Sequence, residues 1–364
     1  MKIFFDSQIF KYQNYGGISL YFANLIKQFL MHPDLGVEPV IQVYNYKNFN
    51  FNLISPELNK MVSLGKLRPD GKLFNLASLS REKIHFDLVH FTYYLPKLLL
   101  FNKNFPSIST IHDFIPELLF PIYSIKRRMH YFKRTYLRNS NGLIFVSNNA
   151  LDSFHHLYPQ LIRGYSKVIH HGVEVPSIQL HKKLNAAKEY FLYVGNRSSY
   201  KGFSLVLQAL SNIARKYNVG LVCFGGGPQL RRERQVIKEL GLTDRVEFFS
   251  DKDITLGELY HSAKALVNSS LLEGFGLTNL ESLSFGCPVI CSDINIFKEV
   301  LGDNAIFFTP NSSESLSSKM EQVLSPRFKL DLDIMQSHVK KYSWLKTATQ
   351  TSDFYRYIVD RFNS

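Results

Sequence analysis

Near its C-terminal end the chain reads "LLEGFGLTNLES", residues 271–282. Glu273 and Glu281 stand eight positions apart around Gly274, Phe275, Gly276 and Leu277. A packing helix has no use for these glycines, and a metal site wants more ligands. Other residues suited to chemistry lie elsewhere: Gly16-Gly17, His112-Asp113, Arg197 and Lys201 in "YVGNRSSYKGF", and Gly225 to Gly227. Arg197 and Lys201 are cations just ahead of a helix start. Gly16-Gly17 would let backbone N–H groups approach an anion. A lone histidine after the apolar "PSISTI" is more often core than catalytic, and a bare glycine run is weak evidence.

Each of these segments follows an apolar run, which sets what must position them. "KIFFD", "PVIQVY", "FDLVHF", "SISTIHD", "SNGLIFVS" and "KVIHHGVEV" read as strands, alternating with amphipathic segments such as Ser19 to Leu30. After a polar, Lys-rich stretch "PSIQLHKKLNAAKEY" the alternation restarts at "YFLYVG" and runs to "AIFFTP". This is βαβ logic and predicts α/β architecture: two doubly wound, Rossmann-like domains with parallel sheets. The expected boundaries are 1–172, 173–340 and a closing amphipathic helix over 341–364. Ligands of such sheets bind beyond the carboxyl ends of the strands, so two domains facing across a cleft would bring the motifs together.

The chain has 364 residues, enough for two cores, with 45% hydrophobic and 20% charged residues. No run approaches a membrane span, and Asp6 interrupts any signal-peptide h-region. Three cysteines, Cys223, Cys287 and Cys291, have apolar neighbours and are expected to be buried free thiols of a reducing compartment. Residues 1–172 carry 20 Lys/Arg against 10 Asp/Glu, and residues 173–364 carry 23 against 20. The first half therefore suits an acidic partner. Within it, "SIKRRMHYFKRTYLRNS" mixes Lys126, Arg127, Arg128, Lys133 and Arg134 with aromatic residues. That pattern fits a basic amphipathic helix on an anionic membrane surface, or a helix packed on its own domain with a solvated basic face.

In order and spacing, these segments resemble the retaining glycosyltransferases of family 4, whose fold is GT-B. The likeness covers nearly the whole chain. "LLEGFGLTNLES" resembles their E-x7-E segment, "YGGISLYF" their glycine-rich first loop, and "STIHDFIPELLFP" their His-Asp segment. "FVSNNALDSF" resembles the strand and helix that follow, "YVGNRSSYKGF" the phosphate-binding segment, and "YSWLKTA" the closing helix that crosses back to the first domain. In many relatives the basic residue directly follows the glycine; here Asn196 intervenes before Arg197.

The resemblance implies a nucleotide-diphospho sugar donor, GDP- or UDP-linked, with a glycan or lipid-linked acceptor. It implies hexosyl transfer with retention, in which the leaving phosphate takes the acceptor's proton, with no cofactor and no metal. Arg197 and Lys201 would stabilise the leaving diphosphate. The helix start at Gly274 to Leu277 would face the β-phosphate. Glu273 would bind donor-sugar hydroxyls, a covalent nucleophile being its alternative, and Glu281 would bind the ribose diol. His112 would stand near the anomeric carbon, Gly225 near the nucleotide, and Ser250 would present backbone to the base. The His-Asp-Phe-Ile-Pro-Glu segment is similar to mannosyltransferases, which suggests mannose and bacterial surface polysaccharide synthesis. The expected location is cytoplasmic, peripheral on the inner face of the cytoplasmic membrane. Asp251-x-Asp253 looks like a metal-binding pair of another glycosyltransferase fold but precedes a helix, where an N-cap or first-turn acid is expected. Two other readings compete: a GT-B-like sugar-nucleotide epimerase, and a basic nucleic-acid binder, for which no reader motif is present.

Overall fold

A computed structural model describes residues 1–6, 8–13, 16–41, 86–94, 105–119, 127–161, 164–174, 189–250 and 254–364, with the helical backbone alone for 127–130. Lys126, Asp251, Asp253 and most of the Lys-rich stretch lie outside these residues. The chain divides into two compact units, Met1–Gly172 with Tyr342–Ser364, and Val173–Lys341.

The first unit is built on β1 (Lys2–Phe5), β2 (Glu38–Ile41), β3 (Leu88–Phe91), β4 (Ser107–Ile111), β5 (Gly142–Phe145) and β6 (Tyr165–Val168). Its sheet runs β2-β1-β3-β4-β5-β6, parallel throughout. The second is built on β7 (Glu189–Val194), β8 (Val219–Phe224), β9 (Val246–Phe249), β10 (Leu266–Asn268), β11 (Val289–Ser292) and β12 (Ile306–Phe308). Its sheet runs β12-β11-β10-β7-β8-β9, also parallel. Strands β3, β4, β5, β8, β10 and β11 are buried along their whole length. Helices cover both faces of such strands, and their sequences accordingly read as continuous apolar runs. Cys223, Cys287 and Cys291 are buried and unbonded within the second unit.

Both sheets reverse direction at a defined place. In the first, the chain moves to one side of β1 and then to the other with β3; in the second the reversal falls between β7 and β10. Counting from β7, the second sheet has the 3-2-1-4-5-6 order of dinucleotide-binding folds. Ligands of such sheets bind beyond the carboxyl ends of the strands at such reversals, and of the candidates Arg197 and Lys201 follow β7 and Glu273 follows β10, the strands that flank the second.

The final helix, Trp344–Asn363, belongs to the first unit. Its Trp344, Ala348, Phe354, Tyr355 and Ile358 share a core with Phe22, Ala23, Ile26 and Phe29 of the helix Gly17–Met31. The Tyr355 hydroxyl lies 2.6 Å from His90 Nδ1, whose Nε2 lies 2.7 Å from the Thr110 hydroxyl. His90 is fully buried, and that burial drives its pKa down to about 3, so the ring is neutral and one nitrogen must donate while the other accepts. Tyr355→Phe leaves a buried ring nitrogen without its partner, which costs about 1–3 kcal/mol. The expected thermal midpoint is several degrees lower, read by circular dichroism; an unchanged midpoint would show that the return helix does not depend on this bond.

Candidate functional site

The loops leaving β7 and β10 meet at the reversal of the second sheet. After β7 the chain turns through Gly195 into a short helical turn, Ser199–Lys201. After β10 it runs through Ser269 to Gly276 and enters the helix Leu277–Ser284. Two hydrogen bonds join the loops: Leu271 N donates to Tyr200 O at 2.8 Å, and the Ser269 hydroxyl donates to Lys201 O at 2.7 Å. Lys201 Nζ then lies 2.5 Å from Glu273 Oε1, with the side chains 19% and 14% exposed. The Ser270 hydroxyl donates to the same oxygen at 3.0 Å. A cation and a carboxylate are thus held together, largely shielded, at the place where such a sheet opens to ligand.

Gly276 takes φ +85°, and a Cβ there would stand 2.9 Å from the Phe297 ring, so the turn into the helix requires glycine. Phe275 is buried beneath it, and Gly274 and Leu277 are half-buried. The Asn268 amide donates to Asn279 Oδ1 at 2.9 Å, which fastens the helix to the end of β10. One turn further on, the Tyr260 hydroxyl donates to Glu281 Oε2 at 3.3 Å. Burial pushes the Glu281 carboxyl up to about 7, and the Tyr260 hydrogen bond only partly offsets this.

Arg197 has a different setting from the loop cation expected of it. Its Nε donates to Glu233 Oε1 at 2.8 Å, Nη1 to Gly225 O at 2.8 Å, and Nη2 to Gly227 O at 3.0 Å and Pro228 O at 2.9 Å. The side chain is 3% exposed, and its guanidinium lies 5.1 Å from the Phe248 ring centroid. Most of the donor fork is spent on carbonyls of the glycine loop. Gly225, Gly226 and Gly227 all have φ between +73° and +79°, and a Cβ on Gly226 would stand 2.6 Å from Gly195 O. Glu233 also accepts from Leu230 N at 2.8 Å, so one carboxylate anchors both the helix start and the arginine. Ser250, at the end of β9, accepts from Ile254 N through its carbonyl at 3.4 Å.

In the first unit, Gly16 and Gly17 open the helix Gly17–Met31, and the Ser19 hydroxyl donates to Gly16 O at 2.9 Å. His112 directly follows β4 and is 7% exposed, packed edge-on against Tyr21 and Phe22. Its Nε2 is buried without a hydrogen-bond partner among the described residues. Burial, with His90 and Lys133 nearby, drives the His112 pKa down to about 3, so its ring is neutral at physiological pH.

The basic helix forms over Arg127–Asn139 and presents Tyr131, Arg134 and Arg138 outward. Lys133 corrects the expectation of a membrane-facing cation. It is buried, 3.1 Å from Glu117 Oε1, donates to Asp113 O, and lies 4.1 Å from the Phe114 ring centroid. It sits two positions from Tyr131 and four from Leu137, which places it on the inward face. Lys126 is outside the described residues, and of the Arg127 and Arg128 side chains nothing is described.

Sequence reasoning did not find Glu233, Ser269, Ser270, Tyr260 or Glu117. Glu233 carried a usable signal, an acid in the first turn of a helix. The others are ordinary polar residues whose roles arise only when distant loops meet.

The two halves match two family models: Glycosyltransferase Family 4 over residues 15–175, and Glycosyl transferases group 1 over residues 177–341. The chain belongs to this glycosyltransferase family. It is 27% identical over 215 residues to the O-antigen chain mannosyltransferase RfbU of Salmonella typhimurium, covering 59% of this chain and 60% of that protein. It is 26% identical over 294 residues to O-antigen chain mannosyltransferase B of Escherichia coli, covering 74% of this chain and 75% of that protein. The chain thus spans about half to three quarters of the length of three of the curated relatives it matches. Among solved structures, Anabaena Alr3699/HepE in complex with UDP-glucose superposes with a TM-score of 0.74 at 17% identity, covering 97% of this chain and 99% of that one. These likenesses establish the GT-B fold. Among the described residues no helix is long and apolar enough to cross a membrane.

Arg197→Met keeps the volume of the side chain but strands Glu233. Breaking a buried pair costs about 3–5 kcal/mol, so the thermal midpoint should fall by roughly ten degrees. A variant as stable as wild type that loses only nucleotide affinity would place Arg197 on phosphate instead.

Proposed function

We propose that the chain transfers a hexose from a nucleotide-diphospho sugar to a hydroxyl of a glycan or lipid-linked acceptor, with retention at the anomeric carbon and without a divalent metal. The observation that carries this reading is the Lys201–Glu273 pair at the sheet reversal, one turn from the glycine-started helix that bears Glu281. Lys201 stabilises the charge that builds on the leaving diphosphate. The N–H groups at the start of Leu277–Ser284 assist it. Arg197 acts one layer back, shaping the Gly225–Gly227 loop toward the nucleotide. Glu273, already held by Lys201 and Ser270, is a poor nucleophile and a good acceptor for sugar hydroxyls. Glu281 binds the ribose diol.

In this reaction the bond from the anomeric carbon to the phosphate oxygen breaks and the bond to the acceptor oxygen forms. The acceptor's proton passes to the departing phosphate. Neutral His112 holds or polarises the reacting groups by hydrogen bonding and brings no charge of its own. The O-antigen mannosyltransferase relatives support mannose and surface polysaccharide synthesis, and the UDP-glucose complex supports a nucleotide-sugar donor. Exposed Tyr131, Arg134 and Arg138 support work at an anionic membrane surface on the cytoplasmic side.

The test is incubation with GDP-mannose and UDP-hexoses and an acceptor glycan, with the anomeric configuration of the product read by NMR in buffer containing EDTA. Retention at undiminished rate is expected. Inversion, or activity lost in EDTA and restored by manganese, would contradict the reading.

Glu281 gives a pH dependence of defined sign. A pKa of about 7 against an ordinary 4.5 means that the free folded protein resists ionising this carboxyl, so its contribution to stability declines as pH rises from about 4.5 through 7. A ribose diol prefers the carboxylate, so nucleotide-sugar affinity should fall about tenfold from pH 8 to pH 6, one proton being bound over that range. Glu281→Gln should flatten this profile. Glu281→Ala should weaken binding about ten- to a hundred-fold at pH 8, since a hydrogen bond to a charged group contributes about 1.5–3 kcal/mol. Calorimetric titration measures both; a pH-independent wild type would remove Glu281 from the ribose.

A further inference from the structure

The helix Leu256–Ser262 carries one side chain to the carboxylate of Glu281. Its Tyr260 is 1% exposed, and the ring stacks on Phe285 with centroids 5.7 Å apart and planes 26° from parallel. Gly257 makes room for that contact, since a Cβ there would stand 2.9 Å from the Phe285 ring. The helix itself is pinned at both ends. Thr255 and Glu258 cap its start: Thr255 N donates to Glu258 Oε2 at 3.0 Å, and Glu258 N donates to the Thr255 hydroxyl at 3.3 Å. Near its end the Tyr190 hydroxyl of β7 donates to Leu259 O at 3.0 Å. The phenol therefore approaches the helix Leu277–Ser284 from a fixed direction.

There it meets two acceptors with one proton. The Tyr260 oxygen lies 3.3 Å from Glu281 Oε2 and 3.2 Å from Thr278 O. A phenol has one O–H to give and lone pairs to receive. When Glu281 is a carboxylate, the hydroxyl points at Oε2. When Glu281 is a neutral acid, the hydroxyl turns to Thr278 O and its lone pair accepts the carboxyl O–H. Glu281 and Tyr260 are partnered in either state, so a shielded acid changes charge without stranding a polar atom. Other titratable groups on the neighbouring elements are engaged differently. Burial holds Cys287, just before β11, and Cys291, within it, as neutral thiols. His338 of the helix Leu332–Val339, which packs on Leu277–Ser284, has its Nε2 2.8 Å from Val300 O. Glu258 of Tyr260's own helix accepts from Thr255.

We propose that Tyr260 is a positioning residue for donor binding: its hydroxyl is a relay that turns toward Glu281 as that acid ionises for the ribose diol, and toward Thr278 O as it is protonated. This rests on the reading that Glu281 binds ribose, and Tyr260 acts through Glu281 alone. Its hydrogen bond favours the charged form against the burial that raises the Glu281 carboxyl to about 7. Losing the bond raises that carboxyl further. At neutral pH a larger share of the protein then holds Glu281 protonated and unfit for the diol.

The experiment is calorimetric titration of the full chain with UDP-glucose and GDP-mannose at pH 6.5 and pH 8.5, a range in which their diphosphate diesters do not titrate. On the donor that wild type binds, Tyr260→Phe should weaken binding about three- to eightfold at pH 6.5 and less than about twofold at pH 8.5. That is the effect of moving one carboxyl's midpoint up by about half to one pH unit. A tyrosine fluorinated beside its hydroxyl at position 260 is a stronger donor and keeps the ring in place. It should strengthen binding at pH 6.5, and it covers the case in which Tyr260→Phe does not fold. In a Glu281→Gln background, where this position no longer titrates, Tyr260→Phe should change affinity by the same factor at both pH values. An equal loss at both pH values with Glu281 intact, a pH-dependent loss that persists in Glu281→Gln, or no gain from the fluorinated tyrosine would overturn the relay and leave the ribose reading in place. Wild-type affinity in Glu281→Gln at pH 8.5, or binding of neither donor, would instead remove the ribose reading, and the relay with it.

Discussion

The ion pair between Lys201 and Glu273 joins the two loops that leave the second sheet on either side of its reversal. Seventy-two residues separate its members in sequence. They meet only because β7 and β10 are neighbours, a pairing that follows from doubly wound topology. Backbone bonds between Leu271 and Tyr200, and between Ser269 and Lys201, set the distance before either charge matters. In the proposed transfer the pair comes preorganised: a shielded cation stands ready for the leaving phosphate, and its carboxylate for the sugar hydroxyls. Stabilising developing charge in this way needs no rearrangement at the moment of reaction.

A second buried pair does structural work beside the first. Arg197 and Glu233 spend their charge on carbonyls and an amide at the start of the helix Arg231–Glu239. A buried charge with no partner is expensive, so these groups fix one conformation of a loop whose three consecutive left-handed glycines would otherwise allow many. Two cations four residues apart thus have different settings: Lys201 pairs with Glu273, and Arg197 holds the glycine loop.

Much of this was legible in sequence because parallel strands buried on both faces are spelled as uninterrupted apolar runs. "VGLVCF" and "PVICS" read directly as β8 and β11, and the motifs fall after strands, as the fold requires. The helix Ser313–Leu324 escaped because only Leu316, Met320 and Val323 mark its inner face, spaced among serines that read as loop. "KVIHHGVEV" ends as a strand at Val168, since the segment beyond it packs against the return helix through His171 and Trp344. Spacing placed Glu273 and Glu281 on a helix start and on its following turn. It cannot tell a cation aimed at solvent from one turned inward, so in sequence Arg197 and Lys133 both look like free charges. Their partners, Glu233 at 36 positions and Glu117 at 16, are set by tertiary contact and leave no local pattern.

Each unit holds a largely shielded Lys–Glu pair, but in different surroundings. Around Lys201 there are glycines and a helix start. Around Lys133 there are tyrosines and a further carboxylate. The assignment of Lys201 to the diphosphate is tested most directly by titrating a nucleotide-diphospho sugar and the corresponding nucleoside monophosphate into wild type and Lys201→Met. The expected result is that the variant loses about ten- to a hundred-fold on the diphospho sugar and little on the monophosphate. Equal losses on both ligands, or none on either, would contradict the central role of the Lys201–Glu273 pair.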